Sequence, residues 1–149
     1  MIVVNTSFRA APWADVLYAM DRAWWTQYGA EAAVRFQGEK VAPINAMRGV
    51  TRSRVAPYRN SGAQAIAYAV QRGAQRIVLL GYDCQYGPNG ERHWHGNHPK
   101  GLGNAGTVQA WHQHFSDIAR AHAAIKIINC SRSTALECFP RAALEEVLC

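Results

Sequence analysis

The chain alternates short β-branched runs with stretches of helical period. Ile2-Val3-Val4 opens a buried strand predicted over Met1–Asn5 and stopped by Thr6-Ser7. Ala14–Asp21 carries Val-Leu-Tyr-Ala-Met between two aspartates and predicts a second covered strand. The aromatic-dense stretch Arg22–Tyr28 predicts the start of a helix. Glu39–Pro57 shows no period and predicts a loop with one short strand near Lys40–Ala42. From Ser61 the pattern sharpens. Ala63, Ile66, Ala67 and Val70 recur at helical spacing, with Gly73 placed as a C-terminal cap. Arg76–Tyr82 is a continuous apolar run of the parallel-strand kind, and Cys84–Gly106 is a polar, Gly- and His-rich loop. Thr107–Ala124 predicts a helix with Val108, Trp111, Phe115, Ile118 and Ala119 facing inward. Ile125–Asn129 predicts a strand, and Arg141–Leu148 a short terminal helix.

Strand, helix, strand, helix, strand over about the last 90 residues means βαβ units and a parallel sheet. The expected class is α/β: one Rossmann-like, three-layer domain over residues 1–149, with an irregular insertion at 29–57. Ligands in such sheets sit beyond the carboxyl ends of the strands.

Composition narrows the class further. The 149 residues are 49% apolar and 17% charged, enough for a core and against disorder. No apolar run approaches the roughly 18–20 residues of a membrane helix, and the start lacks the basic and apolar regions of a signal peptide. Cys84, Cys130, Cys138 and Cys149 are widely spaced, which fits neither a disulfide scaffold nor a zinc ribbon. The net charge is +6, and its excess is uneven. No acid falls between Glu39 and Asp83, while Lys40, Arg48, Arg52, Arg54, Arg59, Arg72 and Arg76 all do. Such a block favours phosphates, or is a solvated basic face without a ligand.

Three places carry candidate chemistry. Arg59-Asn60-Ser61-Gly62 stands at the head of a helix, where N–H groups and a glycine admit a phosphate or carboxylate; an ordinary N-cap has the same residues. Leu80-Gly81-Tyr82-Asp83 ends a strand and suits a sugar hydroxyl or base, or is simply a turn. His93-Trp94-His95-Gly96-Asn97-His98 sets three imidazoles on one loop. They read as a general base or substrate contact, as metal ligands with Asp83 as an optional fourth, or as structural residues. Asn5-Thr6-Ser7 and Cys130-Ser131-Arg132-Ser133 follow strands at the same edge, where they contact a ligand or form turns. Trp24-Trp25 reads as core or an interface anchor, or as a surface for stacking on a sugar or base.

Taken together, these segments resemble the nucleotide-sugar-binding domain of bacterial sialyltransferases and motility-associated glycosyltransferases, whose core archaeal pterin diphosphokinases share. The resemblance is closer still to small proteins carried by bacteriophages and prophages. Ile2-Val3-Val4-Asn5 resembles the family's second strand, whose terminal Asn contacts the donor nucleotide, and Asp15–Asp21 its third. Asn60-Ser61-Gly62 resembles the Thr-Ser-Gly of the donor-binding helix. Arg76–Asp83 resembles the strand ending Gly-x-Asp, and Lys126–Ser131 the strand and turn nearing the base or ribose. The family opens with a strand and a Gly-x-Gly-Pro-Ser-type phosphate loop; that strand is expected to be missing here.

The resemblance implies a nucleotide or nucleotide-sugar ligand, such as a cytidine conjugate, held by Asn5, Arg59, Asn60, Ser61, Gly62, Gly81, Asp83 and Ser131. If the chain is catalytic, it implies metal-independent glycosyl transfer with His93, His95 or His98 as base. No metal and no separate cofactor are expected. The alternative is a non-catalytic module for a phosphate ligand or a protein partner. No reader motif for nucleic acid is present. A cytoplasmic protein is expected, in the host cell if phage-encoded, with a homodimer as its assembly.

Overall fold

A computed structural model describes every residue except Lys100, Asn104, Ala105, Thr107 and Cys149. The predicted helix start at Thr107 and the thiol of Cys149 therefore lie outside the described residues. The chain divides into two compact units, one of Met1–Tyr68 with Pro99–Leu102, the other of Ala69–His98 with Gly103–Cys149. The class is α/β, and every strand pairing among the described residues is parallel.

In the first unit, β1 (Ile2–Val4), β2 (Val16–Tyr18), β3 (Glu39–Ala42) and β4 (Thr51–Arg52) form one sheet in that order. Side chains alternate across a strand, and the apolar sets divide accordingly. Val3, Leu17 and Ala42 face a cluster with Trp24, Trp25, Tyr28 and Ala32 of helix α1 (Arg22–Arg35). Val16, Tyr18 and Val41 pack with Ala65 and Tyr68 of helix α2 (Ser61–Gln71), beside Ile2 and Val4. Helix, sheet and helix thus make three layers, as the sequence predicts.

Several boundaries differ from expectation. Asn5 does not end the first strand: it begins a 3-10 helix over Asn5–Arg9. Residues 29–35, expected to be irregular, continue α1. The Ala-rich run Ala30–Ala33 favours helix, and Gly29 admits the Met47 thioether, which would sit 2.5 Å from an added Cβ. β4 has no apolar signature, both its residues being exposed, and is defined by its pairing with β3 alone.

In the second unit, β5 (Arg76–Leu79) pairs with β6 (Lys126–Asn129) in register from Arg76↔Lys126 to Leu79↔Asn129. β5 stops short of the predicted Tyr82 because Gly81 takes φ +72° and turns the chain. Gly73 caps α2 as expected, with φ +91° and its N–H donating to Val70 O. Helix α3 (Val108–Ala121) buries Val108, Phe115 and Ile118, while Trp111 and Ala119 are half-buried. Phe115 meets Tyr82 and Phe139 edge-on. The terminal helix α4 (Leu144–Leu148) is shorter than predicted, because Arg141 instead forms a parallel bridge to Asn129. Val147 of α4 packs on Ile128 and Cys130. No helix among the described residues is long and apolar enough to cross a membrane.

Candidate functional site

In the first unit, strand register and the start of α2 bring five of the candidate residues to one edge. Val4 pairs with Tyr18, so Asn5 and Ala19 leave the sheet side by side at its carboxyl end. Met20, one residue further, donates its N–H to Ser61 Oγ at 3.2 Å and so anchors the start of α2 at the same edge. Asn60 Oδ1 accepts from Ala63 N–H at 2.7 Å, an N-cap bond. Gly62 is half-buried, and Arg59 is exposed at the head of the helix. The capping reading of Asn60 therefore holds at the level of its carbonyl.

Asn5 is different. Its backbone is left-handed, at φ +50°, a conformation asparagine tolerates better than most side chains. Its Oδ1 is buried without a hydrogen-bond partner, and so is Oγ1 of Thr6, a residue only 1% exposed. Unpaired buried polar atoms cost on the order of 1–3 kcal/mol each, and native structures keep few of them. Here two of them are adjacent, at the carboxyl edge of a parallel sheet. Thr6 is the residue sequence reasoning undervalued; only its burial distinguishes it from a turn threonine.

Beneath that edge lies a polar knot with no motif in the sequence. Tyr18 Oη donates to Gln64 Oε1 at 2.8 Å and lies 3.0 Å from Ser53 Oγ, all buried. Burial raises the Tyr18 phenol above its ordinary range. Trp24 and Trp25 are core residues, Trp25 Nε1–H donating to Ala19 O at 2.9 Å.

In the second unit, Gly81, Asp83 and Ser131 meet around the turns after β5 and β6. Ser131 is buried and its Oγ accepts from Tyr82 N–H at 2.8 Å. Asn129 Nδ2 donates to Tyr82 O and to Thr134 Oγ1, and its Oδ1 accepts from Ser131 N–H at 3.0 Å. The Ser131 side chain is thus bound inward, holding the turn. Asp83 is exposed at that turn; its backbone carbonyl accepts from Ala135 N–H at 2.8 Å, and desolvation raises its carboxyl above the usual range.

The histidine loop of the same unit converges. Gly96 N–H donates to His93 O at 3.2 Å, and Gly96 takes φ +84°, so the chain folds back on itself. His93 and His95 stack with ring centres 5.2 Å apart, and His98 closes on them at 4.6 and 4.9 Å. One nitrogen from each lies within 4.8 Å of the others. Asp83, considered as a fourth member, is not in this group. His93 Nε2 is buried and unpartnered. Desolvation first, then His98, His95 and Arg92, push the His93 imidazole down to about 4. His112 and His114 on α3 and His122 just beyond it are half-buried and stand outside this group.

Compared with known protein families, curated proteins and solved structures, the chain matches none.

Proposed function

We propose that the protein binds a nucleotide or nucleotide-sugar at the carboxyl edge of its four-stranded sheet. The observation that carries this reading is the buried, unpartnered pair Asn5 Oδ1 and Thr6 Oγ1. A base or ribose supplies donors for such acceptors, and the Thr6 hydroxyl can also donate. The α2 start anchored by Ser61 lies at the same edge, and Arg59 adds an exposed cation for a phosphate. The excess of basic residues between Glu39 and Asp83 favours the same anionic class. Glycosyl transfer, the activity the family resemblance implies, would require one loop imidazole with its lone pair available as a base.

A thermal-shift screen against CMP, UMP, ATP and NAD tests the binding step, because a ligand that binds only the folded chain raises its melting temperature. The Asn5→Gly variant keeps the left-handed backbone while removing the amide, and Thr6→Val keeps the shape while removing the hydroxyl. A rise of several degrees with one nucleotide, lost in both variants, is the expected result. No rise with any of the four ends the nucleotide reading and leaves a module for another partner.

A further inference from the structure

We propose that His93, His95 and His98 form a transition-metal site, with zinc the best-suited ion and a fourth position open to water or an anionic oxygen. The inference is independent of the nucleotide reading, which rests on the other unit.

Four observations carry it. Three imidazoles each offer a ring nitrogen, and the three nitrogens lie within 4.8 Å of one another. Ordinary solvated histidines gain nothing by clustering, since any two that protonate repel. The backbone brings the first two imidazoles together, through the His93–Gly96 turn and the positive φ of Gly96. The Nε2 of His93 is buried without a partner, a vacancy in hydrogen bonding that a metal bond fills. The ligand chemistry then selects the ion. Imidazole donors without thiolate or carboxylate suit zinc, copper, nickel or cobalt, and not calcium or magnesium.

Geometry asks little of the loop. Tetrahedral zinc with bonds of about 2.0–2.1 Å places its ligand nitrogens roughly 3.3 Å apart. The present separations, none above 4.8 Å, therefore close by no more than about 1.5 Å, within a segment bearing Gly96 and no regular structure. Three neutral ligands leave the ion's double charge uncompensated, which favours hydroxide, phosphate or carboxylate at the fourth position and makes a bound water more acidic. His95 and His98 are half-buried and Trp94 between the first two is 66% exposed, so the cluster lies near the surface. Metal ligation and base catalysis use the same lone pair, so a loaded site excludes the bound imidazoles from the role of base.

The test uses the untagged full chain, stripped with a chelator and titrated with cobalt(II) and zinc. We expect one ion per chain, with an intense visible cobalt spectrum of the four-coordinate kind that zinc abolishes. His95→Ala and His98→Ala each lower zinc affinity at least tenfold while leaving the melting temperature of the metal-free chain unchanged; His114→Ala, outside the cluster, leaves affinity unchanged. A weak six-coordinate cobalt spectrum, no binding at stoichiometric concentration, or wild-type affinity in both His95→Ala and His98→Ala overturns the proposal. The wild-type cobalt spectrum decides the matter even where a variant fails to fold.

Discussion

The hydroxyl of Ser131 accepts a hydrogen bond from the backbone N–H of Tyr82 at 2.8 Å, tying the turn after β6 to the turn after β5. Asn129 completes the knot, fully buried and bonded to Tyr82 O, Thr134 Oγ1 and Ser131 N–H. Residues at this strand edge look like ligand contacts in sequence, yet here they satisfy backbone groups. Asn129→Ala should cost about 2–3 kcal/mol and Ser131→Ala about 1–2 kcal/mol, since each leaves buried polar groups unpaired. Urea unfolding measures both, and an unchanged midpoint for Asn129→Ala would show that the knot contributes nothing.

Two glycines predict opposite outcomes for the same substitution. A Cβ at Gly38 would lie 2.4 and 2.5 Å from the carbonyl oxygens of Asp15 and Ala14, backbone atoms fixed where Glu39 N–H bonds Asp15 O. A Cβ at Gly29 meets the Met47 sulfur, the end of a flexible and 40% exposed side chain. Gly38→Ala should therefore destabilise by about 2 kcal/mol or more. Gly29→Ala should be neutral within about 1 kcal/mol, because the gain in helix propensity offsets the displaced methionine. Melting temperatures of the two variants, measured side by side, check the contrast; equal losses would contradict it.

This contrast also shows what the sequence conceals. The parallel strands were legible because β-branched runs such as Ile2–Val4 and Ile77–Leu79 are covered, and Gly73 marked the end of α2 because its φ requires a glycine. The length of α1 was not, since its inner face beyond Tyr28 is carried by Gly29 and Ala32, too small to register as apolar. β4 was invisible for a related reason: Thr51 and Arg52 are exposed and owe their conformation to Val41 and Ala42 opposite. At the candidate sites, residue types were readable and partners were not. Spacing suggested three clustered imidazoles, but their closure depends on the turn at Gly96. Nothing in the sequence distinguishes the paired carbonyl of Asn60 from the orphaned one of Asn5.

Cys84 should be chemically quiet in the folded protein. It is buried, its thiol donates weakly to Val108 O, and burial followed by the neighbouring Cys138 pushes its pKa up to about 11. Relative to the ordinary thiol value of 9, that leaves about a hundredfold less thiolate at pH 8, and the thiolate is the nucleophile. Iodoacetamide followed by peptide mapping should label Cys84 at least a hundredfold more slowly in native protein than in urea. Rapid native labelling would mean that the loop after β5 opens readily.

Acid should weaken the link between the 3-10 helix and α1. Arg9 binds Glu31 through two bonds, of 2.8 and 2.5 Å, and Arg35 adds a third at 3.0 Å. The hydrogen bond from Arg9 is the main reason the Glu31 carboxyl lies below its ordinary value of 4.5; burial opposes it, and the charge of Arg9 and both contributions from Arg35 assist. A carboxyl depressed in the folded state binds its proton more readily when unfolded. The stabilisation is therefore complete above about pH 4.5 and disappears as pH falls through the lower folded value. All three side chains are at least a quarter exposed, which limits the contribution to below about 1 kcal/mol and makes it sensitive to salt. The stability difference between wild type and Glu31→Gln should accordingly be present at pH 7 in low salt, shrink at 1 M salt, and vanish near pH 3. A difference that persists undiminished at pH 3 would assign the effect of the substitution to packing against Arg9 and not to charge.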